Sequence, residues 1–269
     1  QVVVLTQEYG QAYYHFLVDN LPRITVLLDL LLEHPDIKIA AHETHSKQRR
    51  EFIHQLFELL GIERDRVLFL PQVHADLAII PPSTVCFFPN AVAIGMLRHA
   101  LLQALYPGTS GVSPTLDRPV IVLIVRSRLR GLGNNAEVRE ALQQNFPAFD
   151  VVEFLGTGPI RSQLETFATA SLVVAPHGAG LSNIIVSPLH TPVLEIGPIN
   201  CPPCFLNLAV KHLVDGGGDD ILRVHAKPLL RHFDRSFSMS MPGTREAIGR
   251  TSCATPFFNP KWMKLFTSR

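Results

Sequence analysis

Four groups of residues have types and spacings that could do chemistry. In VVAPHGAGLSN, residues 173–183, an apolar run ends at His177, and Gly178 and Gly180 flank Ala179. A glycine turn between strand and helix lets bare N–H groups approach a phosphate, and the helix start adds a partial positive charge. His177 can donate to a phosphate oxygen, while Asn183 can cap the turn or read a ligand. A plain strand-to-helix connection, with glycine chosen for its φ values, explains the same residues. The stretch is neither the GxGxxG dinucleotide fingerprint nor a P-loop.

The second group is VRSRLRGLGNNAEV, residues 125–138, where Arg126, Arg128 and Arg130 follow a β-branched run and Asn134, Asn135 and Glu137 open a helix. Arginine forks hold phosphates bidentately; an exposed basic loop with an asparagine helix cap is the plainer alternative. The third is GQAYYHFLVDNLPRI, residues 10–24, with His15 and Asp19 four apart and so on one helix face. The pair either ties a buried helix to its sheet or lies at the rim of a crevice, where it can take a proton from a substrate hydroxyl. The fourth is Glu195 in PVLEIGP, a carboxylate at a strand end, suited to a ribose hydroxyl or simply solvated.

Other chemistries lack their residues. There is no GxSxG elbow and no HExxH; His42 and His45 lie in a polar loop without an obvious third ligand. No Asp-x-Asp occurs, so no catalytic divalent metal and no cofactor is indicated. Cys201-Pro-Pro-Cys204 has redox-motif spacing without a strand-then-helix setting, so buried thiols or one incidental disulfide is the expectation.

These residues need a scaffold, and the composition provides for one. The 269 residues are 46% hydrophobic and 17% charged with a formal net charge of +1, which describes a folded globular chain with no global field for nucleic acid or an anionic membrane. No apolar stretch reaches the ~18 residues of a membrane span. Short β-rich runs alternate with helical ones. Strands are expected at 2–6, 37–41, 67–70, 77–80, 120–125, 151–154, 172–175 and 193–196. Helices are expected at 13–33, 47–60, 92–105, 136–145, 161–170, 181–186 and 205–213. A Pro, Gly, Ser and Thr-rich linker at 107–119 divides two lobes, 1–106 and 120–215, and the less periodic tail 216–269 is free to pack back on the first lobe. The chain starts inside a strand without methionine, so the first lobe is expected to be incomplete.

YYHFLVDNLPRI, the arginine-rich strand end with Asn134 and Glu137, and VVAPHGAGLSNIIVSPLHTPVLEI occur in the order seen in glycosyltransferase family 61, which the chain resembles from about residue 9 to 197. The resemblance implies an α/β, GT-B-like fold of two facing Rossmann-like lobes with parallel sheets. It also implies a nucleotide-sugar donor in the cleft, a polysaccharide or glycoprotein acceptor, inversion, and no metal. On the matched positions, Arg126, Arg130, Asn134, His177, Gly178, Ala179, Gly180 and Asn183 would attend the donor, Glu195 would face the nucleoside, and His15 and Asp19 would belong to the acceptor side. Eukaryotic relatives work in the Golgi or ER lumen behind a membrane anchor, bacterial ones in the cytoplasm without one. Asn135 departs from the pattern, which often has an acid there, and Gly131 and Gly133 replace bulkier residues.

The expected activity is therefore inverting, metal-independent transfer from a nucleotide sugar, with UDP-sugar as the expected donor, Asp19 as the base and His15 as its partner or replacement. A nicotinamide-dependent dehydrogenase fits the glycine pattern poorly, and Asn135 leaves open a non-catalytic binding protein built on the same fold.

Overall fold

The computed structural model describes residues 1–84, 88–126, 131–197, 204–213 and 221–225, with side chains from 210 to 213 and 221 to 225 left aside. Arg128, Arg130 and Cys201 fall outside these residues.

Strands β1 (Val2–Leu5), β2 (Lys38–Ala41), β3 (Val67–Leu68) and β4 (Ala78–Ile79) form one sheet in the order β3-β2-β1-β4. Strands β5 (Val120–Ile124), β6 (Asp150–Phe154), β7 (Ala170–Pro176), β8 (Val193–Gly197) and β9 (Ile221–His225) form the second, in the order β6-β5-β7-β8-β9. Every pairing is parallel. Parallel strands covered on both faces read as continuous apolar runs, and all five residues of β5, VIVLI, are buried. Val120, Val122 and Ile124 face one core cluster and Ile121 and Leu123 the other, as a period of two requires.

The helices are α1 (Leu21–Thr25), α2 (Leu28–Glu33), α3 (Lys47–Leu59), α4 (Ala91–Leu105), α5 (Asn135–Asn145), α6 (Ile160–Ala168) and α7 (Cys204–Leu213). Ser46 caps α3 by accepting from the Arg49 amide at 3.3 Å, and Asn90 caps α4 through the Ala93 amide at 3.1 Å. One contiguous core runs from Val3 and Leu5 of the first sheet through Leu97 and Leu101 of α4 to Val122, Ala175 and Ile184 of the second. A smaller cluster lies on the other face of the second sheet, where Val138, Ala141 and Leu142 of α5 meet Ile121, Leu123 and Val174. The result is the α/β, GT-B-like architecture, two Rossmann-like lobes with parallel sheets facing one another.

Three elements differ from the sequence expectation. The apolar segment 13–33 is a π-helical turn (His15–Asn20) followed by α1 and α2. Pro22 sits in the first turn of α1, where its missing N–H takes no bond from the helix. The short helix after the glycines is 3-10 in form and starts earlier, Ala179–Val186. Strand β9 was not anticipated: ILRVH is brief and follows a glycine run, so its pairing with β8 decides its state.

Candidate active site

In an open parallel sheet, ligands gather beyond the carboxyl ends of the strands where the strand order reverses. In the second sheet that point lies between β5 and β7. Leu123 pairs with Val174, so three residues further on Arg126 and His177 come level. Arg126 Nη1 donates to the His177 carbonyl at 3.1 Å. The guanidinium lies against Gly178 so closely that a Cβ there would fall 1.5 Å from Nη1. Gly178 has φ 163° and ψ 167°, extended backbone. Glycine is needed here for the close approach of a side chain, not for a left-handed turn. Gly180 serves packing in turn: a Cβ there would lie 3.3 Å from Ile124.

Pairing of β7 with β8 sets Ala175 opposite Glu195. His177 and Glu195 are then diagonal neighbours on one sheet face. The His177 Nδ1 to Glu195 Oε1 distance is 2.5 Å, and both side chains are buried. A carboxylate only accepts, so Nδ1 carries the shared proton and Nε2 is the ring's other polar edge. The Phe205 ring of α7 packs against the imidazole at 5.1 Å between centroids.

The first lobe meets this region through residues 13–19. His15 Nδ1 lies 2.7 Å from Asp19 Oδ2; Asp19 is fully buried, whereas the His15 side chain keeps 16% of its surface exposed. A polar frame fixes the turn. Thr84 donates to the Asp19 carbonyl at 2.7 Å, Asn20 to the His15 carbonyl at 3.1 Å, and buried Arg23 to Asn20 and to the Pro81 and Pro82 carbonyls. His15 also connects to the cradle by three successive ring contacts, through Tyr14 and Phe205 to His177.

The sequence profile described as Glycosyltransferase 61 matches residues 13–194, from the Tyr13 turn into β8, and so spans these groups except Glu195 and Phe205. The chain belongs to glycosyltransferase family 61. As a member it is a glycosyltransferase. No curated protein sequence matches it. Among solved structures, it is similar to E. coli heptosyltransferase WaaC with ADP, at 10% identity and a TM-score of 0.45. That similarity covers 84% of this chain and 93% of the other. It is also similar to the same enzyme with ADP-2-deoxy-2-fluoro heptose, at 11% identity and a TM-score of 0.35, with the same coverage.

In this family 61 chain, the remaining expected residues take local roles that the sequence did not specify. Asn134 is buried and donates to Glu137 Oε2 at 3.1 Å, while Asn135 donates to the Leu132 carbonyl at 2.9 Å. Asn183 is fully buried and accepts from the Tyr13 hydroxyl at 2.5 Å, a bond between the lobes. Burial pushes the Tyr13 phenol well above its usual pKa, with the Asn183 bond acting in the opposite sense. Ala179, Gly180 and Asn183 also line a cavity of about 600 Å3 between the lobes, closed on the other side by Gln11, Tyr13 and α3. Cys204 is buried at the start of α7. Among the described residues, no three His, Cys, Asp or Glu gather as a metal site would require, and no helix is long and apolar enough to cross a membrane. Sequence reasoning missed Tyr13, Phe205 and Gln11, because an aromatic or amide residue in an apolar run looks like core until its neighbour from the other lobe is known.

Proposed function

We propose that the chain is an inverting, metal-independent glycosyltransferase that moves a sugar from a nucleoside diphosphate donor, a UDP-sugar, to a hydroxyl of a glycan or glycoprotein. The observation that carries the reading is the Arg126 guanidinium seated on Gly178 beside the buried His177–Glu195 pair, at the reversal of strand order. As the bond between the anomeric carbon and the β-phosphate oxygen breaks, negative charge grows on that oxygen. A fixed guanidinium, the His177 ring edge and the amides opening the 3-10 helix would stabilise it, the kind of preorganised electrostatics that usually dominates. Asn134 and Arg130 would complete the donor side in this reading.

On the opposite face the acceptor oxygen forms its bond to the anomeric carbon and gives up its proton. The geometry favours His15 as the group that takes it. Asp19 is buried with one oxygen held by Nδ1, which fixes that nitrogen as the protonated one and makes Nε2 the basic edge of the ring. Asp19 then acts by orienting the ring. A thermal-shift screen against UDP, GDP, ADP and CMP tests the donor side. Stabilisation follows mass action, so the nucleotide of the donor raises Tm most. Release of UDP from UDP-sugars, with EDTA and without, tests the chemistry. Absence of stabilisation by every nucleotide, or turnover abolished by EDTA, overturns the corresponding part of the reading.

A further inference from the structure

Behind the His15–Asp19 pair lies a buried relay that ends on a cation. Asp19 orients the His15 ring through Nδ1, but a ring is only as well placed as the backbone that carries it. Asn20, which has no exposed surface, donates from Nδ2 to the His15 carbonyl at 3.1 Å and accepts at Oδ1 from Arg23 Nη1 at 3.3 Å. A guanidinium only donates and a carbonyl only accepts, so these two neighbours fix which end of the carboxamide points where. Gly10 closes in on the same group: a Cβ there would lie 2.9 Å from Asn20 Nδ2 and displace the amide.

Arg23 is the fixed end of the relay. It is 4% exposed, and its other bonds run from Nε to the Pro82 carbonyl at 3.0 Å and from Nη2 to the Pro81 carbonyl at 2.6 Å. Burial lowers its pKa, and among the described residues no carboxylate forms an ion pair with it. A buried charge without a counter-charge is costly. What a neutral side chain could not supply is a rigid fork of donors that reaches three acceptors at once. The same loop sends the Thr84 hydroxyl to the Asp19 carbonyl at 2.7 Å. Both ends of the His15–Asp19 pair are thereby tied to one stretch of chain, 81–84, outside the turn that carries them.

We propose that Asn20, locked by Arg23, is a positioning residue for glycosyl transfer: it sets where the His15 ring stands and touches no substrate itself. The proposal rests on the reading of His15 as the base. UDP release from UDP-glucose, UDP-N-acetylglucosamine, UDP-xylose and UDP-arabinose tests it, with kinetics taken on the donor that the wild-type chain consumes fastest. Asn20→Asp keeps the size of the side chain and still accepts from Arg23, but it turns an acceptor toward the His15 carbonyl. A misplacement of about 1 Å costs about 10²-fold, so kcat should fall by about that factor. Donor KM and the UDP thermal shift should stay at their wild-type values. In a His15→Ala background the same substitution should cost less than about twofold, since the ring it places is gone. Arg23→Lys keeps the charge but loses the fork, and should lower kcat in the same sense, again only when His15 is present. Should Asn20→Asp fail to fold, Arg23→Lys decides through the same cycle. An unchanged kcat in folded Asn20→Asp, a loss as large without His15 as with it, or a lost UDP shift overturns the proposal. UDP release that survives His15→Ala undiminished, or that the wild-type chain does not show, overturns the reading of the base and this proposal with it.

Discussion

Replacing Gly178 with alanine perturbs the proposed phosphate cradle where Arg126 packs closest to the turn. The new methyl would lie 1.5 Å from Arg126 Nη1 and 2.8 Å from Cζ, so the guanidinium must leave its seat and give up the 3.1 Å bond to the His177 carbonyl. The backbone contributes nothing to the cost, because φ 163° is open to alanine. A hydrogen bond from a charged donor contributes about 1.5–3 kcal/mol. At about 2–4 °C per kcal/mol for domains of roughly this size, Tm should fall by several degrees. Loss of one preorganised donor to developing charge lowers kcat by about 10²–10³. Thermal melts with and without UDP, and UDP release from donor sugars, read the two effects separately. Gly95→Ala on α4 is the control: nothing lies within 4 Å of its added Cβ, so turnover should be unchanged and stability raised by up to about 1 kcal/mol. In an Arg126→Ala background the clash is absent, so Gly178→Ala should add almost no further loss. A Gly178→Ala chain with wild-type Tm and turnover, or a loss equally large without Arg126, refutes the reasoning.

His15→Ala should lower transfer by about 10²–10⁴, the usual contribution of a general base, and leave the UDP thermal shift intact; loss of both would place His15 on the donor side instead. Asp19→Asn should also lower kcat with little change in UDP binding, since the amide can present a donor to Nδ1 and favour the wrong tautomer. Tyr13→Phe leaves the buried Asn183 carboxamide oxygen without its donor and should cost about 1–3 kcal/mol in urea unfolding; an unchanged midpoint would show that the bond between the lobes is not formed in solution. The Glu51 carboxyl is depressed from its ordinary 4.5 to about 2, first by the Arg64 bond. Its contribution is therefore complete above about 4.5 and fades as pH falls toward 2. Both partners are about half exposed, so Glu51→Gln should cost less than about 1 kcal/mol at neutral pH. That difference from wild type should shrink with acid and with salt, and a difference growing toward low pH would contradict the assigned sign.

The layered architecture was legible because parallel strands buried on both faces leave unbroken apolar runs, and VIVLI at 120–124 is one. The pairing of His15 with Asp19 was legible too, since a four-residue spacing brings two side chains together on nearly any helical backbone. The break at 13–33 was not, because the polar Asp19-Asn20 step and Pro22 are compatible with a continuous helix carrying a kink. What separates the alternatives is the frame of Arg23, Thr84 and the carbonyls of Pro81 and Pro82, supplied by chain some sixty residues away.

Taken alone, the sequence determined the period of each element, the glycine turn at 178–180 and the kinds of side chain at the strand tips, because these depend on neighbours only a few residues apart. It left the purpose of Gly178 ambiguous between backbone freedom and close approach. Only the parallel register of β5 with β7 decides this, by drawing Arg126 level with a residue 51 positions further along the chain. The same dependence on distant partners hid the Tyr13–Asn183 bond, 170 residues apart. Hydrophobic periodicity encodes which face of a strand is buried; which strand lies beside it, and at what offset, is settled by packing the whole chain around one core.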